Sequence, residues 1–390
     1  MKSILPLSQR FSNTFLIMGM IMIMLLGVRC TSGKKRMEKG DYDTAVLQAV
    51  KRLRSNPDHK KASNILPMAY EYATLYHLDE ITRLKSSTAQ FKYDGVVRHY
   101  EQMNKLYRAI DRCPACKDLV YNPKYYQQEL DESRLAASKA HFDQGVKDLE
   151  KRTMKMAREA YKHFQRAHEY TPEYDGIDQY LAESLEAATL HVMIDDIPIH
   201  SRSLNLTNEF FQNQIIEEVK RFNYAFVQFH TVSEVDQFNI EPDEIVLIKF
   251  DDFVVGQTYV KETQIQRSRD SVEMGHVETE GGKMPVYGTA KATVTHIFKS
   301  VTSTGLMDFQ VVNANSGQTL KQSKLPGTYI WEWDWGFYNG QEEALEEEDL
   351  EIVRRKEAYP PPPQELFIAF TQPIYNQIIN QMKRYYQVHN

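Results

Sequence analysis

The cysteines are the residues of this chain best suited to covalent chemistry, and two of them lie three positions apart. Cys113 and Cys116 enclose Pro114 and Ala115, a spacing that can close a disulfide, carry out thiol–disulfide exchange or remain as free thiols. A thioredoxin-like redox site needs this motif at the start of a helix that follows a strand, whereas residues 107–112 are typical of the end of a helix. We therefore expect a structural disulfide in a turn, with free thiols and a redox site as the alternatives.

Cys30, the remaining cysteine, follows a basic start and an uncharged apolar run over residues 15–28. Fourteen helical residues span only about 21 Å, which is shorter than a bilayer hydrocarbon core of about 30 Å. The run is therefore typical of a signal peptide, and we expect a lipoprotein signal over residues 1–29 with Cys30 as the palmitate-bearing first residue of the mature protein. Arg29 stands where such signals usually have a small residue, so an uncleaved anchor is the alternative.

The residues after Cys30 indicate a location in the cell envelope. Thr31 and Ser32 come next and no aspartate does, which resembles lipoproteins that are sorted to the outer membrane. The basic run over residues 34–36 differs from the acidic signals of surface export. We expect a lipid anchor at the periplasmic face of the outer membrane, with the inner membrane as the alternative. Export to an oxidising compartment also favours a disulfide between the other two cysteines.

The tryptophans of the chain form a row at i, i+2 and i+4, as Trp331, Trp333 and Trp335. In a strand these indoles share one face of the sheet. The row is either a sheet face packed under helices or an exposed platform for a sugar polymer, peptide or protein partner, and we favour the packed face. Tyrosines of the helical region are expected to pack in a core and groove: Tyr70, Tyr72, Tyr76, Tyr121, Tyr125 and Tyr126.

No residue pattern predicts a catalytic or metal centre. The acid pairs Asp195-Asp196 and Asp251-Asp252 lie in expected strands, where adjacent side chains face opposite ways and cannot form an acid/base dyad. The histidines show none of the local spacings typical of metal ligands, and there is no Gly-x-Ser-x-Gly motif. The acidic block over residues 342–351 lacks calcium-loop spacing, so we expect a solvated helix. We expect a protein with no enzymatic activity, no cofactor and no metal.

Composition excludes one further class of partner. The chain has 390 residues, with 47 lysines and arginines against 53 acids, for a net charge of −6. Phosphate backbones attract clustered positive charge, so a general nucleic-acid binder is excluded. The length is sufficient for two or three domains that each bury a core.

The segment after the signal has an almost wholly helical pattern. Residues 40–57 and 160–172 each predict a helix that carries small alanines and ends near a proline, which cannot continue the helical hydrogen bonds. The second copy is expected to pair with a helix over residues 136–149, with Gly145 at the close crossing. Both copies resemble the second helix of a tetratricopeptide repeat, which implies a helical, protein-binding domain over residues 30–187.

The pattern changes near residue 188 to alternating strands and helices. Residues 266–284 are polar and contain glycine, and we expect them to form a flexible hairpin tip or loop. Glu351 and Arg355 are spaced to pair at i, i+4 on a helix, followed by an extended spacer over residues 359–363. The expected strands are 190–194, 226–229, 245–265, 288–298, 306–312 and 319–324, and the expected helices are 207–222 and 364–386.

This order resembles the periplasmic domain of two kinds of bacterial assembly lipoprotein. The resemblance rests on element order, the Val-Val-Asn-x-x-Ser-Gly-Gln hairpin at residues 311–318 and the closing helix. The lipoproteins are the curli secretion channel lipoprotein and the activators of penicillin-binding proteins. This resemblance implies an α+β periplasmic domain over residues 188–390. The whole chain resembles Gram-negative lipoproteins that join tetratricopeptide-like helices to such a domain.

Two functions follow as expectations. The first is a lipid-anchored cell-envelope scaffold or binding protein, not an enzyme, whose helical repeats engage an envelope protein. The second is an oligomeric component of an outer-membrane secretion or assembly apparatus, in which a long hairpin around residues 253–298 builds a shared wall. A lipid-facing hairpin needs alternating apolar residues over about 9–11 positions, and residues 262–284 are rich in charge. We therefore rank the scaffold first and the homo-oligomer second.

Overall fold

The computed structural model describes residues 36, 39–199, 204–279 and 281–389. An N-terminal helical region is followed by a mixed five-stranded sheet and a C-terminal helix, so the predicted α+β class is confirmed. The chain divides into two compact units between Ser184 and Leu185, here called the helical unit and the α+β unit. The signal segment and Cys30 lie outside the described residues. Within the described residues, no helix has the length and apolarity needed to cross a membrane.

The helical unit is built from helices with clear sequence boundaries. Asp41 caps the first helix by accepting a hydrogen bond from the backbone N–H of Thr44, and Asn56-Pro57 follows its last turn. The last helix of this series crosses the boundary between the units. The helices are α1 Tyr42–Ser55, α2 Lys60–Ser86, α3 Lys92–Asp111, α4 Pro114–Lys117, α5 Gln127–Leu149, α6 Met154–Tyr170 and α7 Ile177–Ala188.

Small residues let these helices approach closely. Ala45 and Ala49 are buried in one core cluster together with Leu66 and Ala69 of α2. Gly145 of α5 lies so near α6 that an added Cβ would be 2.6 Å from the Phe164 ring. The predicted close crossing at Gly145 is therefore confirmed, although α5 is longer than expected.

The α+β unit contains one sheet with strand order β2-β1-β3-β4-β5. β1 is parallel to β2 and β3, while β3–β4 and β4–β5 are antiparallel hairpins. The strands are β1 Leu190–Ile194, β2 Val227–Thr231, β3 Glu244–Thr279, β4 Gly282–Asn313 and β5 Thr319–Gly340. The helices are α8 Asn205–Lys220, α9 Val232–Phe238, α10 Glu347–Arg354 and α11 Pro363–Tyr386, with short 3₁₀ turns at Glu342–Ala344 and Gln387–His389.

The flexible hairpin tip or loop expected over residues 266–284 is the end of a hairpin, but paired strands occupy most of this range. β3 and β4 stay paired as far as Thr279 and Gly282, with register shifts near Ser271 and Gly275. Both residues have positive φ, which is the backbone conformation that such bulges use. A two-stranded arm is solvated on both sides, so polar side chains are compatible with strands here and composition is a poor guide to the backbone.

The C-terminal helix α11 buries one face. Four of the residues expected on its apolar stripe are fully buried: Phe367, Phe370, Ile374 and Ile378. Tyr385 was expected to continue the stripe, but Tyr386 is the buried residue because steps of four from Ile378 lead to it. Gly327 of β5 allows close contact with α11, since an added Cβ would lie 2.2 Å from the Phe370 carbonyl oxygen.

The expected ion pair between Glu351 and Arg355 is also wrong. α10 ends at Arg354, and Arg355 instead pairs with Asp334 of β5. Within α10, Asp349 is buried and accepts two hydrogen bonds from Arg267 of β3, at 2.7 and 3.0 Å. That hydrogen-bonded pair lowers the pKa of Asp349 and fixes α10 to the sheet.

Candidate functional site

Cys113 and Cys116 form a disulfide that encloses the start of the short helix α4. Both residues are buried, in the core cluster that also contains Leu106 and Val120. The motif follows helix α3, and no strand precedes it among the described residues of the helical unit. A buried bridge in this setting is inaccessible to attacking thiols, so its role is structural.

The tryptophan row lies on one face of β5, which is the edge strand of the sheet. Trp331 and Trp335 are half-buried, and Trp333 is 37% exposed. The Trp333 indole Nε1 donates a hydrogen bond of 2.8 Å to the backbone oxygen of Lys356, in the extended segment before α11. The row is thus partly covered by a loop, and it is neither a sealed core nor an open platform.

A more continuous exposed apolar surface lies on α2. Met68, Tyr72, Leu75 and Tyr76 are each between 49% and 57% exposed. Their spacing of i, i+4, i+7 and i+8 places them on one helix face, which we call the α2 stripe. The opposite face is buried in the unit's cores, through Leu66, Ala69, Ala73 and Ile81. α2 is therefore apolar on two sides, and one of them faces solvent.

The aromatic rings of the α2 stripe are held by neighbours. The Tyr42 ring of α1 stacks on Tyr72 at 5.6 Å and meets Tyr76 at 6.5 Å between centroids. Glu71 and Asp79 are exposed on the same helix and supply negative charge. The expectation that Tyr72 and Tyr76 pack in a core is thus only half right, because about half of each side chain remains open.

A partly buried polar chain lies beneath the α2 stripe. His77 is 3% exposed, and its Nε2 lies 2.9 Å from Oδ1 of Asp43 on α1. Its Nδ1 lies 2.8 Å from Nδ1 of His99 on α3. The Tyr76 ring contacts both imidazoles, at 5.4 and 6.2 Å between centroids. A carboxylate and two histidines from three helices thus form one hydrogen-bonded chain.

The same chain occurs a second time in the helical unit. His141 of α5 places Nε2 at 3.1 Å from Oδ2 of Asp94 and Nδ1 at 2.9 Å from Nδ1 of His163. In both copies the histidines are 22 residues apart and the aspartate lies in the first turn of an earlier helix, α1 or α3. We call these two arrangements the Asp–His–His chains.

Sequence reasoning missed both chains because their members lie on different helices. Motif searches test spacings of a few residues, whereas these histidines meet only after two helices pack. A signal was present in the repeated Tyr-Asp pair, at residues 42–43 and 93–94, which opens a helix in both copies. The equal separation of the histidines was a second signal.

The electrostatics of the chains follow from burial and charge. Burial lowers the pKa of His99, and the facing His77 lowers it further. Burial and the facing His141 act on the pKa of His163 in the same direction. Burial, the largest single influence, would raise the pKa of Asp94, but the hydrogen bond and charge of His141, together with Tyr170 and Arg166, lower it overall. The outer histidines therefore stay neutral to lower pH than a free imidazole.

A third histidine pair lies in the α+β unit. His191 Nδ1 of β1 lies 3.0 Å from His230 Nε2 of β2, and the rings stack at 5.2 Å. Glu186 is 3.4 Å from the other nitrogen of His191. Burial and His191 lower the pKa of His230. The described residues contain no group of three or more His, Cys, Asp or Glu placed to hold a metal ion. These pairs can share protons.

The end of the β3–β4 hairpin is a second exposed apolar surface. β5 pairs with β4 only as far as Ala292, so residues 268–279 and 282–291 form a two-stranded arm. Val277 pairs directly with Met284, and Met274 covers Gly288 on the same side. The exposed apolar residues there, which we call the hairpin tip, are Met274, Val277, Met284 and Val286.

Comparison with protein-family models found no match to this chain. A search of curated proteins found none either. The function is therefore argued from the geometry and charge of the surfaces described above.

Proposed function

We propose that this protein is a lipid-anchored scaffold of the cell envelope whose helical unit binds a protein partner through the α2 stripe. The observation that carries the proposal is the exposure of four large apolar side chains on one face of α2. Monomeric proteins seldom leave such contiguous surface open unless it binds something. Tyrosine and methionine are also enriched at the centres of protein interfaces.

The support beneath the α2 stripe suits a binding surface. Tyr42 and the first Asp–His–His chain fix Tyr72 and Tyr76, so little side-chain freedom is lost on binding. Glu71 and Asp79 flank the apolar residues. The partner we propose presents an apolar helix or segment with basic residues at its edge, which complements this charge.

The tetratricopeptide-like character of the helical unit is part of this proposal. The duplicated Asp–His–His chain supports it, because the same three residue types recur with the same separation of 22 residues between the histidines. Repeat proteins of this kind present stacked helix faces to partners. The anchor at Cys30, the signal over residues 1–29 and the outer-membrane location rest on the sequence pattern and complete the proposal.

A second candidate is an oligomeric component of a secretion or assembly apparatus. The long β3–β4 hairpin favours it, since β1 pairs with β3 only as far as Val246 and most of the β3 outer edge is unpaired. Unpaired edges and an apolar tip suit pairing with further copies of the chain. Four bulges interrupt the β3–β4 pairing, and such irregularity discourages edge pairing, so we rank this candidate second.

Affinity capture from membranes tests the first candidate. The intact protein is compared with a Tyr72→Ala/Tyr76→Ala variant and with a control, Tyr121→Ala/Tyr359→Ala, whose rings are 98% and 86% exposed elsewhere. We expect one partner to be captured by the intact protein and the control and lost from the α2 variant, while circular dichroism shows that all three proteins are folded. Equal recovery by all three proteins would contradict the proposal.

A further inference from the structure

We propose that the two Asp–His–His chains form an acid-sensitive latch, which holds the helices of the helical unit together at neutral pH and releases them below about pH 6. The first chain joins α1, α2 and α3, and the second joins α3, α5 and α6. α3 belongs to both, so the two chains act on one continuous stack. The inference holds whichever surface of the protein binds a partner.

Counting protons shows why each chain tolerates only limited protonation. The Asp43 carboxylate can only accept, so His77 donates from Nε2 and its Nδ1 is left with a lone pair. That lone pair lies 2.8 Å from Nδ1 of His99, which must therefore carry the shared proton. One further proton fits on the outer nitrogen of His99. A second added proton would have to go to Nδ1 of His77, where it would face the N–H of His99 and place two positive charges side by side. Each chain therefore holds a single positive charge at most.

The second chain has the same limit, because Asp94 fixes Nε2 of His141 and the two Nδ1 atoms lie 2.9 Å apart. The charged and titratable groups around both chains do not remove this limit of one added proton. The first chain faces Asp43 of α1, Tyr76 and Glu80 of α2 and Arg98 of α3. The second faces Asp94 of α3, Asp148 of α5, and Glu159, Arg166 and Tyr170 of α6. These carboxylates favour the first proton, whereas the N–H contact opposes the second.

The sign of the pH effect follows from linkage. In the unfolded chain all four histidines titrate near pH 6.5, so below that pH each pair binds one proton more than the folded pair can hold. Each excess proton raises the unfolding constant tenfold per pH unit. With two chains, the unfolding constant of the helical unit is expected to rise up to about 100-fold for each unit below about pH 6. The two chains therefore stabilise the folded helical unit above the unfolded histidine pKa of about 6.5, and this contribution is lost as the pH falls.

The latch reaches the α2 stripe through one contact. The Tyr76 ring packs on His77 and His99, so separating these imidazoles moves a residue that is half-exposed on the stripe. The third pair, His191 and His230, meets through Nδ1 and Nε2 and lies in the other unit. Because it belongs to the α+β unit, this pair serves as an internal reference in the labelling experiment described next.

Selective ¹⁵N labelling of histidine in the full chain tests the proton assignment directly. We expect His99 and His163 to be protonated on Nδ1 when neutral, which is the less common tautomer of a free imidazole, and to show a coupling across the Nδ1–Nδ1 bond. While the protein stays folded, each pair should take up one proton only, and the second should enter only as the helices separate. Neutral tautomers protonated on Nε2 at both residues, with single independent steps near pH 6.5, would overturn the inference.

The melting temperature between pH 7.5 and pH 5, followed by helical circular dichroism, tests the consequence. His99→Gln/His163→Gln keeps a polar group at each site and removes the imidazole pair. We expect this variant to lose most of the pH dependence, whatever its stability at pH 7.5, while the control His168→Gln follows the unchanged protein. Parallel pH profiles for all three proteins would overturn the latch, and should the variant not fold, the labelling experiment decides alone.

Discussion

The two units of this chain expose apolar side chains in different ways. In the helical unit, the α2 stripe lies on a helix that is supported by the hydrogen-bonded pair His77–His99 and by the stacked ring of Tyr42. In the α+β unit, the hairpin tip stands on two strands with open edges and no helix beneath it. A supported surface suits a defined partner, whereas an open strand pair suits assembly with other strands. The contrast is the main reason for ranking scaffold above oligomer.

The largest stability effect is expected where helix meets sheet in the α+β unit. At Gly327→Ala the new Cβ meets the Phe370 backbone oxygen, which cannot rotate away. At Gly145→Ala in the helical unit it meets the Phe164 ring, a side chain with some freedom. We expect losses of about 3 kcal/mol and about 1–2 kcal/mol respectively, measured by denaturant unfolding. A larger loss for Gly145→Ala than for Gly327→Ala would show that the contact between β5 and α11 adjusts more easily than the contact between α5 and α6.

Next in size is the tryptophan row, because it is half-buried. Trp333→Ala is expected to lower the free energy of unfolding by about 2 kcal/mol, through lost packing and the loss of one hydrogen bond. A fully buried tryptophan would cost about 3–5 kcal/mol, whereas this indole is 37% exposed. Trp333→Phe should recover the packing but not the bond to Lys356. Fluorescence quenching by iodide checks exposure, and unquenched, blue-shifted emission would contradict half-burial.

The disulfide in the helical unit is expected to contribute a similar or smaller amount. Cys113 and Cys116 close a ring too short to restrict the unfolded chain strongly, so Cys113→Ser/Cys116→Ser should cost about 2 kcal/mol. Thermal unfolding with and without reductant measures it, with the variant as the control that reductant leaves unchanged. Full labelling of both thiols by an alkylating reagent in the native protein would exclude the bridge.

The smallest effect is expected at the hairpin tip. Val277→Ser/Met284→Ser alters side chains that are 54% and 60% exposed, so stability should change by less than about 0.5 kcal/mol. In the scaffold account the oligomeric state is unchanged as well, as checked by light scattering. Loss of a higher oligomer at unchanged stability would move the function toward assembly.

Sequence patterns predicted local features better than features that depend on packing. A short apolar run predicted β1, and Asn315-Ser316-Gly317 predicted the β4–β5 turn, because both signals lie within a few residues. The polar composition of residues 266–284 led us to expect a flexible tip or loop where the structure has strands. Strands that are exposed on both faces need no alternation of apolar and polar residues.

The candidate site was harder to predict than the fold. The α2 stripe resembles any amphipathic pattern until the core shows which face is covered, so Tyr72 and Tyr76 were assigned to packing. The Asp–His–His chains join residues from three helices each, and no local spacing reports that contact. The repeated Tyr-Asp pair and the equal separation of the histidines in the two copies were the sequence signals that pointed to it.

The most direct test of the central claim compares the two exposed surfaces in one experiment. A photo-crosslinking amino acid replaces Tyr76 on the α2 stripe or Met284 on the hairpin tip, in the full chain in its native membrane. The scaffold account predicts that position 76 crosslinks to a different protein, and that the adduct disappears when Tyr72→Ala is added. Crosslinks from position 284 to a second copy of this chain, with none from position 76, would contradict it.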